Sequence, residues 1–262
     1  MELSIVLVIL GLLVGGVLSG RSLIKAAELR SVPTDFNRYY AASMTFKDKY
    51  FSLPGDMTNA TAFWGTSTAC GGASATGTCN GDGNGAINDV AGGMPSTEIY
   101  MFWQHMAKAG MIEGNYSGPL ATDVIAGISV PKSRIANAYF TFPADVSGNG
   151  SYFRVGIGQE LLTLRNNLVF GSRADDSSGN GGDFRGVGGA LTSAEAWNID
   201  TKMDDGRPFT GKVVSDVSSD MSGNGSVVWV AATPSALPCY LGDAYRLSNV
   251  ADTPCILSFR VY

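Results

Sequence analysis

Histidine occurs once in the 262 residues, at position 105, and there is no C-x-x-C or C-x-x-C-H motif. The cysteines are spaced as Cys70/Cys79 and Cys239/Cys255. A zinc–thiolate centre or a covalently attached haem therefore has no ligand set to build on. Basic residues never cluster: 18 Lys and Arg stand against 23 Asp and Glu, a formal charge of −5. Without a basic stripe, no specific grip on nucleic acid is expected. A glycine-rich nucleotide loop is missing, as are a nucleophile set beside a base and a carboxylate pair assignable to a cleft. The chain is accordingly read as no enzyme. Charge itself is scarce, at 16% of residues, and from Leu3 to Gly20 it vanishes for eighteen consecutive positions.

What stands in that gap is an apolar run, "MELSIVLVILGLLVGGVLSG", led by the single acid Glu2. As a helix the run extends about 27 Å, enough to cross most of a bilayer. A carboxylate at the buried end of such a helix is costly unless a cation meets it. After Gly20 the pattern becomes amphipathic. Leu23, Ile24, Ala27, Val32, Phe36, Tyr39, Tyr40, Ser43, Phe46, Tyr50 and Phe51 recur at mostly three- and four-residue steps. The spacing predicts one helix from the N-terminus to about Ser52, stopped by "LPGD" at 53–56 and bent by Pro33. Gly11, Gly15, Gly16 and Gly20 weaken its apolar half and leave a smooth surface for close packing.

Four cysteines allow three connectivities. The local one, Cys70–Cys79 with Cys239–Cys255, closes the smallest loops. Disulfides need an oxidising compartment, so the body is expected in the periplasm or outside the cell. The thirty-four glycines suggest a loop-rich, strand-rich body. A Gly/Ser/Thr/Ala-rich connector at 54–94 leads to a short amphipathic helix, "PSTEIYMFWQHMAKAG", with Ile99, Phe102, Trp103, Met106 and Ala107 on one face. His105 sits off that face and is read as a solvent-edge or hydrogen-bonded structural histidine. From Arg134 onward strands are expected in "IANAYFTF", "SYFRVGI", "GKVVSDV", "SVVWVAA" and "CILSFRVY". The tetrapeptide Ser-Gly-Asn-Gly at 147–150, 178–181 and 222–225 is a reused turn; at 147–150 and 222–225 it directly precedes strand-like runs, as a hairpin turn does. "QELLTLRNNLVF" at 159–170 is compatible with a short helix.

The apolar helix with its leading glutamate resembles the mature N-terminus of type IV pilins and pseudopilins. "LPGDMTNATAFWG" at 53–65, "WQHMAKAGMIEGNYSG" at 103–118 and "NIDTKMDDGRPFTGKV" at 198–213 resemble segments of large bacterial pilin-like proteins. The resemblance implies that the helix first anchors the subunit in the inner membrane and later packs into a filament core. Glu2 would then meet a neighbour's N-terminal amine during assembly; the competing reading is a headgroup-level glutamate of an ordinary signal anchor. Arg21, Lys25, Arg30 and Arg38 all follow the apolar run, so the positive-inside rule alone would put the body in the cytoplasm. A basic leader removed by a prepilin peptidase would resolve this, and the family pattern then implies about three mature residues upstream of Met1.

Two stretches have the oxygen chemistry for calcium. In "CNGDGNGAIND" the residues Asn80, Asp82 and Asn84 alternate ahead of Gly85 and Ile87, as in the first half of an EF-hand loop, with Ala91 where the closing glutamate would stand. The alternative is a glycine turn pinned by Cys79. In "KMDDGRP" a cation could be reached through Asp200, Asp204 and Asp205, in keeping with calcium binding by major pseudopilins near their C-terminal end. The alternative there is an Asp-Gly turn beside Arg207 and Lys202.

The expectation is an α+β pilin fold: residues 1–30 as the membrane-anchoring and filament-core half-helix, and 31–262 as a body with an antiparallel sheet and disulfide-stapled loops. The expected function is that of a structural subunit of an extracellular type IV pilus-like filament. It would assemble as a helical homo-oligomer from the inner membrane with prepilin peptidase and the pilus assembly machinery. The alternatives are a pseudopilin of a type II secretion system and a membrane-anchored periplasmic calcium-dependent binding protein or enzyme.

Overall fold

The computed structural model describes residues 2–87, 98–120, 125–142, 152–155, 162–173, 187–217, 239–241, 244–247 and 255–260. Helix α1 runs from Glu2 to Tyr50, about 74 Å. It continues unbroken through the glycines at 11–20 and through Pro33. It ends where Phe51 turns into the left-handed region at φ 55° while its amide still bonds to the Lys47 carbonyl. The "LPGD" stop was thus placed within two residues. Five of the eleven positions on the predicted amphipathic face stay exposed: Leu23, Ile24, Ala27, Tyr40 and Phe51. Packing begins with the half-buried Leu29, and full burial takes Ser31, Val32, Phe36, Tyr39, Ala42, Ser43 and Phe46.

Among the described residues three shorter α-helices follow: α2 (Ala60–Trp64), α3 (Glu98–Lys108) and α4 (Ser193–Met203). The last starts on a capping box. Thr192 accepts the Glu195 amide and the Glu195 carboxylate accepts the Thr192 amide, satisfying two helix-end donors reciprocally. Glu195 also pairs with Lys25 of α1 at 3.0 Å, bracing α4 against the helix just before it leaves the body.

The main sheet is antiparallel, in the order β1 (Ala138–Thr141), β4 (Leu168–Arg173), β9 (Cys255–Phe259), β6 (Val213–Val217), with β5 (Val187–Gly188) paired to β4. Two hairpin pairs stand apart, β2 (Tyr152–Val155) with β3 (Leu162–Arg165) and β7 (Tyr240–Leu241) with β8 (Ala244–Tyr245). The register sets Phe140 opposite Phe170 and Phe170 opposite Leu257. Strand period two splits the side chains between two faces. Leu168, Phe170, Val213, Leu257 and Phe259 face the main core. Val169, Val214 and Ile256 form a smaller cluster with Phe209.

Helix α1 lies on the main face. Phe36 stacks on Phe259 with centroids 4.7 Å apart, and Tyr39 meets Phe140 and Trp103 edge-on. Such aromatic contacts add about 0.5–1.5 kcal/mol each beyond area burial. The α+β class and the antiparallel sheet agree with the sequence reading. The ambiguous stretch at 159–170 holds no helix in its described part, 162–170. Asn166, at φ 55°, and Asn167 break the segment into β3 and β4, which belong to different sheets. The expected strand at 226–232 and the three Ser-Gly-Asn-Gly turns lie outside the described residues.

Both disulfides are local, Cys70–Cys79 and Cys239–Cys255, with Cα separations of 5.8 and 5.5 Å. The second is wholly buried and ties Cys239 to the first residue of β9.

Candidate functional site

Two regions stand out. The first is the free half of α1. From Leu3 to Leu18 its large apolar side chains are between 51% and 83% exposed, so nothing in the body covers them. This is the one helix among the described residues that is long and apolar enough to cross a membrane or to act as a signal sequence. The helix begins at Glu2, whose side chain lies outside the described residues.

The second region is the junction where the turn after α1, the first disulfide loop and α3 meet. Gly55, at φ +89°, lets the turn press against α3. A Cβ there would stand 2.5 Å from the Glu98 carbonyl oxygen. Gly81 does the same for the loop, since a Cβ on it would fall 2.4 Å from the Gly55 carbonyl oxygen and 2.5 Å from the Asp56 backbone. Its amide donates to the Met57 carbonyl at 2.9 Å. Backbone meets backbone here because neither glycine carries a side chain.

His105 holds the junction from inside. Its Nδ1 accepts the Gly55 amide at 3.0 Å, which leaves the proton on Nε2 to be donated to Thr78 Oγ1 at 3.0 Å. The ring lies between Trp64 and Phe46. Burial pushes its pKa down to about 3, and Lys108 on the same helix adds to the shift. The solvent-edge alternative is therefore corrected: His105 is fully buried and hydrogen-bonded on both nitrogens. Helix α3 hides every residue from Glu98 to Met106, because α1, the loop and the following chain surround it.

The close glycine contacts bring three acids together. One carboxylate oxygen each of Asp56, Asp82 and Glu98 lies within 4.8 Å of the other two. Asp56 and Glu98 are buried, 4% and 0% exposed, while Asp82 opens to solvent. Glu98 accepts the Asp82 amide and Asp56 Oδ2 accepts the Gly85 amide, each at 3.0 Å. Asp56 Oδ1 is sealed from solvent without a hydrogen-bond partner. Burial, with the Asp82 carboxylate beside it, raises the pKa of Asp56 to about 6 against the pull of the Gly85 and Gly83 amides.

Of the three ligands expected in this loop, Asp82 joins the acids. The Asn80 oxygen accepts the Thr61 amide at the start of α2, and the Asn84 oxygen accepts the Ala86 amide at 2.7 Å. Asp82 in turn accepts the Asn84 amide and side chain. Asn166 clamps the loop to the β3–β4 turn through the Ile87 amide and the Gly85 carbonyl. The sequence reading did not single out Asp56 or Glu98. Their signals, an Asp in a helix stop and a Glu at a helix start, were used up by those local roles.

Asp200, Asp204 and Asp205 also converge within 4.8 Å. Their oxygens build the turn after α4. Asp200 accepts Tyr245 Oη at 2.8 Å and the Gly206 amide; Asp204 accepts the Lys212 and Val213 amides; Asp205 accepts the Arg207 amide and Thr210 Oγ1. Burial raises the pKa of Asp200 to about 7 against the Tyr245 hydrogen bond.

Comparison with protein-family profiles, characterised proteins and solved structures finds no match to this chain.

Proposed function

We propose that this chain is a structural subunit of a type IV pilus-like extracellular filament, held in the inner membrane before assembly and polymerised through the free half of α1. The observation that carries the reading is the projection of an uncharged apolar helical stretch, Leu3 to Gly20, from a body that covers none of its large apolar side chains. That surface needs lipid, other copies of the same helix, or each in turn, to leave water. The continuity of α1 into the core supports the same reading, because it fixes the angle at which each body would stand off a helical bundle. Head-to-tail contacts between such subunits leave an open assembly rather than a closed ring. The two disulfides support a body outside the cytoplasm.

The experiment is Glu2→Ala in cells that make the protein, read by membrane fractionation and by electron microscopy of sheared surface material. The variant is expected to stay in the membrane while filaments are lost, since an apolar helix still inserts but a partner amine loses its counter-charge. Filaments containing this chain at wild-type yield from the variant would refute the assembly role of Glu2. Membrane-held wild-type protein that never enters a filament would refute the function.

A further inference from the structure

We propose that Asp56, Asp82 and Glu98 form a calcium site that locks the turn after α1 to the segment following the first disulfide and to the start of α3. Two independent observations carry it. One is the convergence of three carboxylates from segments 26 and 16 residues apart in sequence, each offering an oxygen within 4.8 Å of the others. That is the spread of ligands around an ion that takes oxygens at about 2.3–2.6 Å. The other is Asp56 itself, whose carboxyl group enters this cluster 96% buried, with Oδ1 left unpartnered. A buried carboxylate oxygen without a donor is unfavourable, and buried native polar atoms without partners are few. Among the described residues, neither Asp56 nor Asp82 takes part in an ion pair.

The ligand chemistry selects the ion. Carboxylate oxygens are hard donors, and no sulfur or imidazole joins them. Two buried acids supply fixed ligands, and exposed Asp82 leaves an open side for water, which calcium's six to eight positions accommodate and an octahedral magnesium shell fits less readily. Asp82 lies three residues beyond the Cys70–Cys79 disulfide, a bond that forms in an oxidising compartment, so the ion would bind where calcium is abundant, outside the cytoplasm. The site does not depend on the filament reading. It would make the junction rigid in any extracellular body.

The test uses the full chain in detergent micelles. Thermal unfolding is followed with about 5 mM calcium chloride or with chelator, alongside calorimetric titration with calcium chloride. A dissociation constant near 10⁻⁴ M, in the range of extracellular modules, gives a rise in Tm of about 5–9 °C. Asp56→Asn keeps an acceptor for the Gly85 amide. It is expected to abolish the calcium-dependent rise and to be at least as stable as wild type in chelator, an inversion that a merely structural acid would not produce. Asp82→Asn, on the exposed side, is expected to weaken binding at least tenfold and serves if Asp56→Asn fails to fold. Asp204→Asn should leave the titration unchanged. An unchanged wild-type Tm with no saturable heat would overturn the proposal. So would calcium binding that survives both substitutions, or that is lost only in Asp204→Asn.

Discussion

Acidification should act on this protein through His105. The neutral ring accepts the Gly55 amide and donates to Thr78. A protonated ring can no longer accept, so Gly55 would lose its partner while a positive charge appears between Phe46 and Trp64. The facing groups on α1 and α2 are uncharged rings, and the neighbouring cation Lys108 makes matters worse. The folded pKa is about 3 against an ordinary 6.5. Above pH 6.5 both folded and unfolded chains carry neutral histidine, and the stability is fully present. Below it the unfolded chain takes up the proton first, and stability falls by about 1.4 kcal/mol per pH unit until the folded pKa is reached. Between pH 6.5 and 4.5 the loss from this one residue is on the order of 2 kcal/mol. Carboxylates titrate over the same range, so the measurement is a difference. Urea unfolding of wild type and His105→Leu is compared at pH 7.5, 6.5, 5.5 and 4.5 by tryptophan fluorescence in detergent. At pH 7.5 the variant should be less stable by about 1–3 kcal/mol, the cost of stranding the Gly55 amide. That gap should shrink towards acid and then reverse. A gap that stays constant from pH 7.5 to 4.5 would refute both the buried state of the ring and its role as acceptor.

The disulfides should differ in how they yield to reductant. Cys239 and Cys255 are wholly buried, whereas Cys70 is partly exposed beside buried Cys79, so timed thiol labelling under native conditions should detect opening of Cys70–Cys79 first. Replacing Cys239 and Cys255 by serine should lower stability by about 2–4 kcal/mol in chemical denaturation. Phe51 is 93% exposed and holds a left-handed backbone at the end of α1. Phe51→Gly should therefore raise stability by about 1 kcal/mol, measurable as a shift in the urea midpoint at unchanged slope.

The parts legible in the sequence are those decided by neighbours along the chain. The end of α1 was written in "LPGD", the two disulfides in their short spacings, and β1, β6 and β9 in β-branched and aromatic runs that the sheet contains. The stretch at 159–170 was ambiguous because its leucines fit a helical face as well as two strands; the information lay in Asn166, a residue type that tolerates the left-handed turn. For His105 the hydrogen-bonded reading holds and only the solvent-edge one fails, because an amphipathic reading assumes one wet face and α3 is buried from Glu98 to Met106. The convergence of Asp56, Asp82 and Glu98 was beyond local reading. It depends on Gly55 and Gly81 allowing three backbones to touch, and a glycine in sequence does not say what it lets approach.

Strand β9 lies between β4 and β6, and its Phe259 stacks on Phe36 of α1, more than 200 positions earlier. The sheet is therefore completed by the segment at 255–259, inserted into its middle. Until that segment arrives, β4 and β6 have no common partner and the aromatic side of α1 remains partly uncovered. Contacts of such long sequence separation form slowly, because loop closure must be met before they are made. The His105 hydrogen bonds that join the turn, the loop and α3 reach only 50 and 27 residues along the chain, to Gly55 and Thr78. The strand order thus makes both the sheet and the cover over the aromatic side of α1 depend on the segment at 255–259.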